Sequence, residues 1–328
     1  MKKVLLFLIF CSSIFSDPSI VFIHIGNSLP PYLPEALIQA RYFNSCPIYL
    51  IANAKAFKQK RRELQKIGVI CIPIESLQRT KNHTIFSKMT AVDTAFREGF
   101  WMFTIERFFF LYEFMKSHDV SDVFHLEYDN MLYADVSKFL PTLKRHYENK
   151  IAATFDNDSR CIAGLIYISN KAPLKTFLSF VAANAHTNQN DMELLAQYKN
   201  LAENTSIDNL PIIPPSYADK HTLVSDRMHT TTDAAQYSHH FDEFQSIFDA
   251  AALGQFLGGI DPRNGLSMPG FINESCLFNP AHFQFEWTED SQGRLIPMMV
   301  FGNEKWPIVN LHIHSKNLNA FSSKRSKS

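Results

Sequence analysis

A chain of 328 residues, 46% of them apolar, is long enough to bury a sizeable core, either as one large α/β domain or as two smaller ones. Lysine plus arginine equals aspartate plus glutamate at 32 each, so no global field draws nucleic acid or anionic lipid, and a basic nucleic-acid protein is excluded as a class. The 29 phenylalanines favour a thickly packed aromatic core over a disordered or fibrous chain.

The first 16 residues read differently from the rest. Lys2 and Lys3 precede an almost wholly apolar run from Val4 to Phe10 and then Cys11-Ser12-Ser13-Ile14-Phe15-Ser16, the pattern of a signal peptide cleaved after Ser16. That run is shorter than the ~20 residues that span a bilayer. A short uncleaved anchor and an ordinary buried strand are the other readings. No later segment is long and apolar enough to cross a membrane, so membrane association is expected only through this N-terminal segment. The expected destination is a secretory lumen or the cell envelope. Cys46, Cys71, Cys161 and Cys276 form no CxxC or Cys/His pattern, so structural zinc is not indicated and disulfide pairing does not follow from spacing. Asn-x-Ser/Thr triplets begin at Asn82, Asn157, Asn204 and Asn273 and matter only in a eukaryotic secretory host.

From residue 19 the pattern alternates. Ser19–Gly26 reads as a strand, Pro34 opens a helix-like stretch, Pro47–Ala52 is a second strand, a basic amphipathic stretch follows from Ala54, and Gly68–Ile74 is a third strand. A β-α-β-α-β order with short linkers predicts an α/β fold, a mostly parallel central sheet covered by helices. From Phe86 to Ser117 the chain is apolar, with no proline and with Gly99 as the break; FWMFTIERFFFLYEFMKS predicts a helix buried nearly all round. Within it Thr104 and Arg107 share a face. A buried arginine needs an anion, so Arg107 pairs a core acid or reaches a bound phosphate or nearby carboxylates.

The next stretch, Val123-Phe124-His125-Leu126-Glu127-Tyr128-Asp129-Asn130-Met131, ends an apolar run in two acids and an asparagine, too polar to stay in the core unpaired. In extended chain Glu127 and Asp129 project to one side and can offer two oxygens to one hard cation, Mg2+ or Mn2+. A solvated strand end is the plainer alternative. Helical stretches are expected over 136–148 and 173–197, with two strands flanking the polar loop at 156–160 and a loop-rich interval from Glu203 to Tyr237. In FDAAALGQFLGG, Asp249 stands at a helix start, as an N-cap or as an acceptor-binding or catalytic carboxylate. In WPIVNLHIHSKN, a strand would put Asn310, His312 and His314 on one face, where an imidazole completes a metal site or is merely surface, and Lys316 neutralises phosphate. A basic, serine-rich tail over 321–328 is expected to be disordered.

Taken together, SIVFIHIG, the helix with Thr104 and Arg107, the Asp-x-Asp-like HLEYDN, FDAAALGQFLGG and NLHIHSKNL resemble the GT-A type of nucleotide-sugar-dependent glycosyltransferase over most of residues 19–320. The resemblance implies a Rossmann-like single domain and a UDP- or GDP-sugar donor held through Mn2+ or Mg2+. It also implies a hydroxyl acceptor on a glycan, lipid or protein. It makes Asp129 the metal ligand, Glu127 a ligand or ribose contact, and His312 or His314 the late ligand. Asp249 is the candidate for acceptor recognition or general base. Glu at the first acidic position departs from the common Asp and is one methylene longer. Two rival readings are a metal-dependent hydrolase using His312, His314 and Asp129, and a secreted carbohydrate-binding protein without catalysis. A signal peptide leads away from the cytosol, so the enzyme reading requires a lumen stocked with nucleotide sugars or an uncleaved anchor.

Overall fold

The β-branched and aromatic runs that open the chain become the strands of one sheet in a computed structural model, which describes residues 17–201, 206–225 and 229–324. Strands β1 (Ser19–His24), β2 (Ile48–Ala52) and β3 (Val69–Pro73) pair in parallel, linked by helices α1 (Leu33–Phe43) and α2 (Arg61–Ile67). All of β1 is buried, as befits a central strand covered on both faces. The chain then runs through α3 (Lys81–Met89) and α4 (Phe100–His118) to β4 (Val123–Leu126), which lies parallel to β1 on its other side. After β5 (Asn130–Leu132) and α5 (Leu140–His146) come β6 (Ile151–Asn157) and β7 (Arg160–Ile168), then α6 (Lys171–Ala183), α7 (Asp191–Lys199) and β8 (Ile207–Asn209). The seven-stranded order is β3-β2-β1-β4-β7-β6-β8. β7 is antiparallel to both neighbours, and the other pairings are parallel. The expected mostly parallel α/β sheet is therefore present.

Two short helices, α8 (Pro215–Ala218) and α9 (Phe241–Phe244), lead to α10 (Ala252–Gly258). A three-stranded antiparallel sheet of β9 (Gln284–Glu289), β10 (Leu295–Phe301) and β11 (Glu304–Pro307) follows. The last strand, β12 (Asn310–His312), returns to pair antiparallel with β5. Because β2 and β3 lie on one side of β1 and β4 on the other, the strand order reverses at β1/β4. A crevice opens there beyond the strands' C-terminal ends, the usual ligand site of open α/β sheets.

Helix α4 carries the aromatic core. Phe108, Phe109, Phe110 and Phe114 are buried, each contributing roughly 1.5–3 kcal/mol by removal from water. Gly99 (φ 94°) and Asp119 (φ 49°), both left-handed, set its ends. Several boundaries differ from expectation. The helix expected over 173–197 is two, because Asn190 starts α7 with a capping box to Glu193. The basic stretch from Ala54 is helical only as α2, and 136–148 divides into a 3-10 turn and α5. The tail is anchored at its start: the Ser323 N–H donates to Gln39 Oε1 at 3.1 Å, and Leu295 N–H donates to the Ser323 carbonyl at 3.2 Å. The expected signal peptide and the rest of the tail, from Arg325, lie outside the described residues. Asn157 is fully buried and its amide donates to the Ser275 carbonyl at 2.8 Å, so its triplet is closed to a glycan in the folded chain. Among the described residues no helix is long and apolar enough to cross a membrane.

One buried polar trio ties α3 to α4. The fully buried His83 ring lies 3.0 Å from Glu113 Oε1 and 2.9 Å from Glu106 Oε1. Burial opposes the charged imidazole, but the two carboxylates outweigh it and raise the pKa above the ordinary 6.5. A raised folded pKa means that this stabilisation is complete below the unfolded value and is lost as pH rises through the folded one. The urea midpoint of the wild-type chain should therefore fall as pH rises from 6 to 9, and His83→Gln should flatten that dependence; an unchanged slope in the variant would assign it elsewhere.

Candidate active site

The acidic motif is a turn rather than a strand end. β4 stops at Leu126; Glu127 N–H donates to the Gly164 carbonyl at 2.9 Å, and Asn130 N–H donates to the Glu127 carbonyl at 3.0 Å. The turn, and not strand alternation, brings both acid side chains to one spot. The turn then enters β5, which receives β12 in the register Asn130↔His312, Met131↔Leu311 and Leu132↔Asn310. Ile313 N–H extends the pairing by donating to the Asp129 carbonyl at 2.8 Å. This pairing seats the His312 ring over the acids, its Nε2 being 3.0 Å from Glu127 Oε2 and 3.2 Å from Asp129 Oδ1. Glu127, Asp129 and His312 present ligand-type atoms within 4.8 Å of one another.

A chain of hydrogen bonds ties together the strands around that ring. Asn310 Nδ2 donates to Asn130 Oδ1 at 2.7 Å, and Asn130 Nδ2 donates to the Gly164 carbonyl at 3.0 Å, joining β12, β5 and β7. Gly164 is a close-approach glycine: a Cβ there would lie 2.7 Å from His312 Nδ1 and 2.8 Å from Asn130 Nδ2. Asp249, expected as an N-cap or as an acceptor-binding or catalytic carboxylate, is buried and bonded to backbone. Its buried carboxylate accepts N–H bonds at 2.9 Å from Leu253, Gly254 and His312, leaving neither oxygen for substrate. It caps α10 from two residues ahead of the N-cap, Ala251, and fixes the backbone of His312, so it is a positioning residue. Burial raises its pKa, against those three donors.

Charge in the crevice is dense and balanced. Arg107 bridges Glu127 and Asp191, its Nη2 lying 2.7 Å from Asp191 Oδ2, and Lys316 pairs with Asp129. Three carboxylates thus face Arg107, Lys316 and the His312 imidazole. Burial disfavours charge on Glu127, but Arg107 and His312 overcome it and hold its pKa at about 2. Lys316 and His312 likewise hold Asp129 well below the carboxylate range, and the two acids raise His312 to about 10 against its burial. Asp191 moves the other way, raised by burial despite Arg107. Both alternatives left open for Arg107 are realised, a core acid and the motif carboxylate. Thr104 lines the same crevice, its hydroxyl donating to the Trp101 carbonyl at 2.9 Å.

His312 and His314 separate in role. β12 ends at His312, so His314 lies past the strand; its Nδ1 accepts from Gln255 Nε2 at 2.9 Å, and its ring stands edge-on to His312 with centroids 4.4 Å apart. Burial and the neighbouring His312 lower its pKa to about 3. The crevice has a volume of about 810 Å³, within the range of pockets that enclose a small-molecule ligand. Tyr32 and Tyr128, 6.0 Å apart, line it together with Arg97, Asp261 and Arg263. Sequence reasoning missed Asp191, the two asparagines' pairing and Gly164; a glycine inside the apolar strand CIAGLIYI was the one available signal.

No protein-family model and no curated protein matches the chain. Among solved structures it is similar to mouse xyloside xylosyltransferase 1 in its apo form, at 8% identity and TM-score 0.43, over 62% of this chain and 90% of that one. It is similar to core-mannan synthase A from Aspergillus fumigatus in its Mn/GDP form, at 8% identity and TM-score 0.43, over 61% and 74%. A third is the galactosyltransferase LgtC in complex with donor and acceptor sugar analogs, at 13% identity and TM-score 0.37, over 62% and 80%.

Two substitutions test this scaffold. Gly164→Ala should displace the His312 ring, costing about 1–3 kcal/mol by overpacking and weakening divalent-metal binding. Asp249→Asn replaces one accepting oxygen with a donor facing backbone N–H groups, so stability should fall by about 1–3 kcal/mol and metal affinity by roughly 10–100-fold. Chemical denaturation and Mn2+ titration read both; unchanged Mn2+ affinity in both variants would remove the positioning role.

Proposed function

We propose that this protein is a metal-dependent glycosyltransferase that moves a sugar from a UDP- or GDP-sugar to a hydroxyl acceptor. The observation that carries the reading is the convergence of Glu127, Asp129 and His312 at the β1/β4 crevice, beside the side chains of Arg107 and Lys316. Two carboxylates and one imidazole suit Mn2+ or Mg2+, which leave positions open for phosphate oxygens. Asp129, Glu127 and His312 would hold the ion, with Asp129 as the leading ligand. When bound, it supplies charge neutralisation for a diphosphate leaving group.

The chain's own groups supply the rest. Lys316, paired with Asp129 in this structure, is placed to take a phosphate oxygen as the acid engages the metal. Arg107, held between Glu127 and Asp191, keeps the Glu127 carboxylate ionised and oriented. Tyr32 and Tyr128 offer flat aromatic surface to the nucleotide base. The hydrolase alternative needs His314 as a further ligand, whereas the ligand-type atoms that converge are those of Glu127, Asp129 and His312. A glycan, lipid or protein acceptor fits this reading equally, and the N-terminal segment would direct the chain into a lumen supplied with nucleotide sugars.

A panel of UDP- and GDP-sugars, assayed for binding and turnover with Mn2+, with EDTA and with Asp129→Ala, tests the proposal. One donor should bind in a Mn2+-dependent manner, and the variant should lose that binding by roughly 100-fold or more. Metal-independent binding that survives in Asp129→Ala would sink the proposed site.

A further inference from the structure

Three of the chain's 13 histidines converge on a second cluster, outside the residues that line the crevice. The His239 and His240 rings stack with centroids 3.9 Å apart, and His240 stacks on His146 at 3.8 Å. A carboxylate terminates each end of the stack: Asp208 Oδ1 lies 2.9 Å from His239 Nδ1, and Glu243 Oε1 lies 2.6 Å from His146 Nε2. Asp208, His239 and His240 present ligand-type atoms within 4.8 Å of one another, and all three are half-buried. His240 takes up the left-handed conformation (φ 54°, ψ 21°), which costs a non-glycine residue about 1 kcal/mol or more and sets its ring between the other two.

We infer that Asp208, His239 and His240 form a second divalent-metal site, of the zinc class, separate from the crevice. Two imidazoles and one carboxylate are a borderline donor set, preferring Zn2+, Ni2+ or Cu2+ to the hard Mg2+ or Mn2+ that suits the two carboxylates of the crevice. Binding replaces the hydrogen bond between His239 Nδ1 and Asp208 Oδ1 with coordination, while Lys150 Nζ, 2.8 Å from Asp208 Oδ2, stays as that acid's outer partner. Three protein ligands leave room for water. The ligands come from the edge strand β8 and from the turn before α9, so the ion would clamp the sheet edge to the segment that leads into α9.

The test uses the full chain stripped of metal and titrated with Zn2+ by calorimetry, with Co2+ absorption as a second readout. Wild type is compared with His239→Ala/His240→Ala, with Asp208→Asn and with the crevice variant Asp129→Ala/His312→Ala. The crevice variant should keep one Zn2+ equivalent and the accompanying rise in Tm. The histidine double variant should lose that equivalent by roughly 100-fold or more in affinity, and Asp208→Asn, which preserves shape, should weaken it by at least roughly 10-fold. Zn2+ binding unchanged in the histidine variant and in Asp208→Asn, or only millimolar in wild type, would overturn the assignment.

Discussion

The pairing of β12 with β5 is the constraint on which the site depends. It is only three residues long on each strand, yet it carries His312 across more than 180 positions of sequence to the two acids of the turn after β4. So short a ladder is weak by itself. Its strength comes from side chains that act on backbone: Asp249 accepts the His312 N–H, Asn310 bonds Asn130, and Asn130 bonds the Gly164 carbonyl. Each donor or acceptor in this network is buried, so leaving one unmet costs the full desolvation of that group, more than the bond itself contributes. The backbone that carries the imidazole is therefore held by four chain segments at once.

That network also accounts for the electrostatic character of the crevice. Carboxylates held ionised in a buried place require cations close by, and Arg107 and Lys316 supply them from α4 and from the segment after β12. The protein's own positive groups balance the acids. A divalent ion and an anionic phosphate entering together would preserve neutrality, because the cation takes over the acids and releases lysine to the anion. Neutral pairing of this kind keeps the crevice preorganised without a large net charge.

Much of this was legible in the sequence because it follows from local pattern. Alternating apolar runs and helical stretches announce the parallel half of the sheet, and an apolar run ending in Glu127-Tyr128-Asp129 announces a polar site. The late histidines are visible as a cluster of ligand types. What local pattern cannot carry is long-range partnership. Asp191 falls inside the single helix expected over 173–197, and its bond to Arg107 depends on how α7 packs against α4. Asp249 reads ambiguously between cap and catalyst, and its three backbone donors, one of them 63 positions away, are not visible in local pattern. The split between His312 and His314 likewise turns on β12 ending after three residues, which alternation along the sequence does not foretell. The antiparallel sheet of β9 to β11 is absent from the sequence reading; its mixed exposure blurs the period-2 signal that a half-buried strand shows.

The late position of β12 sets an order of events in the life of the chain. All seven strands of the main sheet lie before residue 210, so most of the core can condense while the remainder is still being synthesised. The crevice is completed only when residues 310–316 arrive, the slowest kind of contact because a long loop must close first. A nascent or C-terminally clipped chain would thus be compact yet unable to gather its acids and imidazole. The crevice is assembled as the final step of folding.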